Sequence, residues 1–299
     1  MALKIAIVGS GGRLGAALAR EWKAGGDDVT GFSHAQLDIG NFRQVRERIE
    51  ALDFDVLVNC AAQTNVDRCE TNPEEAFRLN STAVAILADL AARKGARCVH
   101  ISTDYVFEGS KTEPYSEEDE ALPISVYGAS KLGGERSLHS VSEDHLAVRV
   151  SWVFGPDRPS FVDQILQRAL EQENVAAIAD KVAVPTFTLD TCRLLRPLLE
   201  RGSARGVIHL CNSGACTWQE YGQFALDCAL AAGVPLKGRT VAPQKMADLK
   251  AFIARRPIYT AMNTRKLQAV TGLTPRSWQE AVEDYVRTHW VPAHCQRPG

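Results

Sequence analysis

Tyr127-Gly-Ala-Ser-Lys131 is the short stretch whose residue types and spacing can do chemistry. Residues four apart on a helix lie on one face, so the phenol and the ammonium can point into a single cleft. A phenol titrates near ~10 and is a poor acid-base group at neutral pH. A cation held beside it favours the phenolate and brings that value towards the working range. In the reductive direction the same tyrosine gives its proton to a carbonyl oxygen as hydride reaches the carbon. Y-x-x-x-K recurs by chance on solvated helix faces, so the pair gains meaning only from its surroundings. Upstream, Ser102 and Thr103 close an apolar run, and either hydroxyl could hold a substrate carbonyl near the tyrosine.

A hydride source is suggested by Gly9-Ser10-Gly11-Gly12-Arg13-Leu14-Gly15, which sits between the first apolar run and the first helical pattern. The spacing is G-x-x-G-x-x-G, a variant of the common dinucleotide fingerprint. Small residues let the backbone approach a pyrophosphate, which then rests on a helix N-terminus. The expected cofactor is NAD(P)H, and a positively charged nicotinamide would further favour the Tyr127 phenolate. Strand 28–32 is followed by Ser33 and His34, with no acid to hold the adenosine ribose of NAD and no Arg to grip a 2′-phosphate. The missing acid slightly favours NADPH over NADH. Ser33 and His34 then stand either as cofactor contacts or as ordinary loop residues. Asp38-Ile39 and Ala61-Ala62-Gln63 follow the second and third strands, where small residues give a cofactor close access to the backbone.

These groups need a scaffold that brings strand ends and helix starts to one edge. Apolar runs at 3–8, 28–32, 54–62, 96–103 and 145–153 alternate with helical patterns at 14–23, 42–52 and 73–94. Such alternation predicts an α/β fold, a doubly wound parallel sheet covered on both faces, with a smaller substrate lobe. We expect residues 1–155 to form the dinucleotide-binding domain. Residues 156–299 would be mainly the substrate-binding lobe, with parts of 175–210 returning to the sheet. The last residues, HCQRPG, read as a loose tail.

The formal net charge is −2, from 34 basic and 36 acidic residues without long runs of one sign. That argues against nucleic acid or an anionic membrane as partner. The eight cysteines form no C-x-x-C pair and sit mostly in apolar stretches, as expected for free thiols in the cytoplasm. No signal-peptide core, membrane-spanning run or metal-ligand spacing is present, so no metal is expected.

The motifs together resemble the extended short-chain dehydrogenases, and among them the dTDP-4-dehydrorhamnose reductase family. The resemblance runs through the glycine turn, LDI at 37–39, NCAAQTNVDRCE at 59–70, STDYVFEG at 102–109 and VYGASKLGGE at 126–135. RVSWVFG at 149–155, VPT at 184–186, TWQEY at 217–221 and GLTPRSWQEAVEDY at 272–285 complete it. It implies reduction of the 4-keto group of a dTDP-sugar, with Thr103 orienting the carbonyl, Tyr127 donating the proton and Lys131 holding the nicotinamide ribose. It implies cofactor roles for Gly12, Arg13, Leu14, Asp38, Ile39, Ala61, Ala62 and Gln63, and sugar or nucleotide contacts for Asp104, Tyr105 and Trp152. Arg256, before Pro257, matches a diphosphate grip in geometry, although an Arg at such a place also serves structurally. The expected partner is thus a nucleotide sugar, with a homodimer as the candidate assembly. Ser160-Phe161 and Asp180-Lys181 depart from the family's Asn-Phe and Asp-Gln, and PDRPS at 156–160 is this chain's own.

Two rivals follow from the same fold. Sugar-nucleotide 4,6-dehydratases carry Asp-Glu after the active-site Thr, whereas Thr103 is followed by Asp104-Tyr105, which favours simple reduction over elimination. Epimerases on other nucleotide sugars share the scaffold. A catalytically silent NAD(P)-binding regulatory subunit, like the beta subunit of methionine adenosyltransferase, is the other class. Its sign would be a broken Tyr–Lys pair, and here Thr103, Tyr127 and Lys131 are intact.

Overall fold

The structure is a computed structural model and describes residues 2–200, 202, 204–249 and 251–294. In the first half, β1 (Lys4–Val8), α1 (Arg13–Ala24), β2 (Asp28–Phe32), α2 (Phe42–Glu50) and β3 (Val56–Asn59) follow in turn. After them come α3 (Val66–Thr71), α4 (Pro73–Phe77), α5 (Ala83–Arg93), β4 (Arg97–Thr103), α6 (Val126–Val141) and β5 (Leu146–Val150). β-branched, apolar sequence makes β1, β3 and β5 almost wholly buried, as strands covered on both faces must be. α1 turns Leu14, Ala17, Leu18 and Trp22 inward, and the Trp22 indole donates to the Cys192 carbonyl at 3.0 Å.

The second half adds β6 (Val153–Phe154), α7 (Phe161–Glu171), β7 (Val175–Ile178), β8 (Val182–Ala183), β9 (Thr186–Phe187) and α8 (Thr188–Leu195). It continues through β10 (Gly206–His209), β11 (Cys216–Thr217), α9 (Trp218–Ala231), β12 (Val241–Gln244), α10 (Arg265–Thr271) and α11 (Trp278–Tyr285). The main sheet runs β2-β1-β3-β4-β5-β10 with every pair parallel. One face is covered by α1 and α8, the other by α2, α5 and part of α6. The fold is the doubly wound α/β class. Strand order reverses at β1/β3, and ligands bind at the carboxyl edge of such a switch point.

One local expectation differs. The helix expected over 73–94 is α4 and α5 joined by a π-helical turn, Arg78–Thr82. Val175–Ile178 pairs with β12 outside the main sheet, while β10 joins it beside β5. The second half contains helices α7, α9 and α11 around an aromatic core of Phe154, Phe187, Tyr221, Trp278, Tyr285 and Trp290. Among the described residues no helix is long and apolar enough to cross a membrane. Residues 295–299, including Cys295 and most of the expected tail, lie outside the described residues.

Candidate active site

A cavity of about 1070 Å³ opens at the switch point. Gly9, Gly12, Arg13, Leu14, Gly15, Ser33, His34, Asp38, Ile39, Ala61, Ala62, Gln63, Tyr127 and Lys131 all line it. Gly9 has φ +86°, and a Cβ there would lie 2.7 Å from the Ala61 nitrogen, so the turn and the β3 loop meet backbone to backbone. α1 begins at Gly12 without a side-chain cap, leaving its first amides facing the cavity mouth. An anionic diphosphate fits such a terminus, so the donor set and the glycine cradle suit a dinucleotide.

The Arg13 guanidinium is otherwise engaged. Its Nε donates to the Arg158 carbonyl at 3.1 Å, Nη1 to the Val153 carbonyl at 3.2 Å, and Nη2 to the Pro159 carbonyl. It braces the 153–159 loop against the glycine turn. Asp38 accepts from the Gly40 amide at 2.9 Å, and its carboxylate lies 4.0 Å from His34.

At the inner end, α6 presents Tyr127 and Lys131, both buried, with Ser125 capping the helix by accepting from the Gly128 amide. The two upstream hydroxyls part company. Ser102 Oγ donates to Glu135 Oε1 at 2.5 Å, inside the buried Glu135–Arg149 ion pair. Thr103 Oγ1, next to the Tyr127 phenol, donates to Asp104 Oδ1 at 3.1 Å and accepts from the Tyr105 amide at 3.2 Å. Lys131 Nζ donates to the Ile101 carbonyl at 2.6 Å and lies 3.1 Å from His100 Nε2.

The expected lowering of the phenol is not found in the protein alone. Burial pushes Tyr127 well up, with the neighbouring Thr103 hydroxyl opposing this and the Asp104 charge adding to it. Burial brings the Lys131 ammonium down to about 8, with Glu135 pulling the other way. The phenol is therefore held protonated, the state a proton donor needs.

Thr103, Asp104, Tyr105, Trp152 and Arg256 lie outside the cavity lining. Asp104 is buried and accepts from Thr260 Oγ1 at 2.6 Å and Ser151 Oγ at 2.9 Å, and burial raises its carboxyl. Tyr105 stands edge-on to Tyr127, with ring centres 5.5 Å apart. Trp152 holds a left-handed φ of +38°, a conformation that costs a non-glycine residue about 1 kcal/mol or more and clusters at functional sites. Its indole packs on Trp218 at 5.5 Å, and its Nε1 is buried with no partner. Arg256 is clamped by Asp67, Nη2 to Oδ2 at 2.7 Å, and lies 3.7 Å over the Phe252 ring. That pairing takes the Asp67 carboxyl down to about 2.

Sequence reasoning missed three residues. Asn80, fully buried in the π turn, accepts from the Gln63 amide at 2.8 Å and donates to the Gln63 carbonyl at 3.0 Å and Ser130 Oγ at 2.9 Å. It thereby fixes the cavity wall to α6. His100 supports Lys131 from β4. Lys181 Nζ is buried, donates to the Pro257 carbonyl at 2.5 Å and lies 4.8 Å over the Tyr105 ring. Only Lys181 had a signal in the sequence, as a departure from Asp-Gln.

A parallel sheet with a phosphate-ready glycine turn, and a buried Tyr beside a Thr hydroxyl and one helical turn from a Lys, define an NAD(P)-dependent oxidoreductase of the short-chain dehydrogenase class. Residues 3–290 match the sequence profile of the RmlD substrate binding domain. The chain belongs to the dTDP-4-dehydrorhamnose reductase family. It is 34% identical to the dTDP-4-dehydrorhamnose reductase of Escherichia coli over 292 residues, covering 94% of this chain and 96% of that protein. The spore coat polysaccharide biosynthesis protein SpsK of Bacillus subtilis is 32% identical over 284 residues, covering 95% and 97%. The crystal structure of dTDP-4-dehydrorhamnose reductase from Bacillus anthracis in complex with NADP superimposes with a TM-score of 0.87 at 30% identity, covering 96% of this chain and 98% of that one.

Proposed function

We propose that the chain reduces the 4-keto group of dTDP-4-dehydro-L-rhamnose to give dTDP-L-rhamnose, with NADPH somewhat preferred to NADH. The observation that carries this reading is the buried pair Tyr127 and Lys131, one helical turn apart on α6 and both lining the dinucleotide-sized cavity. Bound NAD(P)H supplies the hydride. Tyr127 gives its Oη proton to the sugar's C4 oxygen, and Thr103 holds that oxygen in line. Lys131, anchored on the Ile101 carbonyl, bonds the nicotinamide ribose. Gly9, Gly12, Leu14 and Gly15 admit the diphosphate, Ser33, His34, Asp38 and Ile39 border the adenosine end, and Ala61, Ala62 and Gln63 form the wall between. Asp104 and Tyr105 shape the sugar site, and Trp152 offers its unpaired indole N–H to the substrate. Arg256, held by Asp67, stands at the sugar nucleotide's end as its diphosphate contact. Residues 1–155 carry the cofactor, and 156–299 mainly shape the substrate pocket while returning β10 to the sheet. The seven described cysteines are all free, in keeping with a reducing cytoplasm.

The test is oxidation of NADPH and of NADH, followed by nicotinamide absorbance, with enzymatically generated dTDP-4-dehydro-L-rhamnose. Turnover should fall about 10²–10⁴-fold in Tyr127→Phe, the usual contribution of a positioned proton donor. Wild-type-like turnover in that variant overturns the assignment. Cofactor binding without turnover by the unaltered protein would redirect the search to another keto-sugar nucleotide or to a regulatory role.

A further inference from the structure

The dinucleotide cavity lacks the usual residues that read the adenosine ribose, since β2 is followed by Ser33-His34 and Arg13 is spent on three carbonyls. Another guanidinium reaches the same place from the second half of the chain. Arg158, in the PDRPS segment, lines the cavity and donates from Nε to the Gly11 carbonyl at 3.1 Å. Among the described residues this is its one side-chain hydrogen bond, and no carboxylate pairs with it. Gly11 in turn abuts the end of β2, where a Cβ on it would lie 3.2 Å from Ser33 Cβ. The exposed Arg158 head therefore rests on the glycine turn and shares a cavity wall with Gly11 and Ser33, on the side where this fold holds the adenosine ribose. The other cavity arginines are placed differently. Arg68 is paired with Glu75 at 2.7 Å, and Arg78 Nη1 donates to the Gly40 carbonyl at 3.0 Å, beyond Asp38.

We infer that Arg158 is the 2′-phosphate-binding residue of this chain and sets its preference for NADPH, with Arg13 as the brace that holds the 153–159 loop in reach. The inference rests on the reading of the chain as an NAD(P)H-dependent reductase. A planar guanidinium with its two terminal nitrogens free matches a phosphate in bidentate fashion, and NADH offers only a ribose hydroxyl there. The loop comes from the substrate half, so cofactor choice would be made by a segment outside the glycine motif and the β2 end.

Direct titration of the unaltered protein, R158A, R158Q and R78A with NADPH and with NADH tests this without any sugar substrate. Failure of the sugar assignment therefore leaves the result readable. We expect Kd for NADPH to rise about 10- to 100-fold in both Arg158 variants, the range of a lost charge-assisted hydrogen bond, with Kd for NADH changed less than about twofold. Equal weakening of both cofactors would place Arg158 on the diphosphate and overturn the inference. So would unchanged NADPH binding, or a loss of preference that follows R78A instead.

Discussion

The proton chemistry turns on two groups whose surroundings move them in opposite directions. Burial raises the Tyr127 phenol and lowers the Lys131 ammonium to about 8. His100 stands against the Lys131 amine, and burial together with the Lys131 charge keeps its ring neutral. Asn59 Oδ1 accepts from the Ala61 amide, which turns Nδ2 towards His100 Nδ1 at 3.1 Å. With Nδ1 accepting, the neutral ring carries its proton on Nε2, facing Lys131 Nζ. That geometry suits an amine lone pair better than an ammonium. Lys131 is charged below pH ~8 and loses its proton above it, whereas Tyr127 stays protonated throughout that window. Because kcat/KM for NADPH reports the free enzyme, its pH profile should fall on the alkaline side with a midpoint near 8. A profile flat to pH 10 would remove Lys131 from cofactor binding. The same reasoning applies to Asp104, which holds the Thr103 hydroxyl beneath Tyr127. Replacing Asp104 with Ala strips a hydrogen-bond partner from three buried hydroxyls, Thr103, Ser151 and Thr260. We expect a kcat loss of roughly tenfold or more with KM for NADPH little changed, because the damage is confined to the sugar side of Tyr127. Steady-state kinetics with each substrate varied in turn would separate the two.

At the scale of elements, the cavity wall depends on a break in a helix. The π turn Arg78–Thr82 swings Asn80 inward, where it bonds both backbone groups of Gln63 and the Ser130 hydroxyl of α6. α6 comes close enough for this through Gly134, whose Cβ would lie 2.2 Å from the Asn80 carbonyl oxygen. Asn80→Ala leaves the Gln63 amide and carbonyl unpaired in a partly buried loop. It should cost roughly 2–3 kcal/mol by thermal unfolding and raise KM for NADPH more than KM for the sugar. Equal shifts in both would mean that the loop does not report to the cofactor. The sequence marks this turn only weakly: Asn80-Ser81-Thr82 are poor helix formers, but strong formers flank them and a single inserted residue leaves no signature of its own in the period. The cofactor half was otherwise legible, since buried parallel strands are apolar runs and the glycine turn needs small residues at fixed spacing. Helices α9 and α11 carry a local signal at their starts, since T-W-Q-E at 217–220 and S-W-Q-E at 277–280 are capping boxes, both formed in the structure. Their packing was out of reach of any local pattern. It rests on rings brought from Phe154, Phe187, Tyr221, Trp278 and Tyr285, far apart in the chain.

Across the whole molecule, the two halves are interleaved, and the motif order along the chain conceals how far. α8 packs on α1, so that Leu194, Leu195, Leu198 and Leu199 share one core with Leu18, Val99 and Val148. β10 closes the sheet on β5, and buried Arg97 of β4 donates to the Leu198, Glu200 and Ala204 carbonyls. A chain ending at residue 155 would keep the glycine turn, Tyr127 and Lys131. It would also leave β5 as a bare edge strand and strip the α8 layer from the β1–β5 face. Each buried Leu side chain returned to water costs roughly 1.5–3 kcal/mol, and four of them exceed much of the 5–15 kcal/mol by which a domain is usually stable. An unpaired apolar edge adds a template for aggregation. We therefore expect residues 1–155 expressed alone to be aggregated or unfolded by circular dichroism and to bind no NADPH. Extending the chain to 210 should recover helical signal before any catalytic competence, because the aromatic core around Trp152 would still be missing. A soluble 1–155 fragment with cooperative melting and NADPH affinity near that of the full chain would show that the cofactor half folds by itself, and that β10 and α8 only lean on a finished domain.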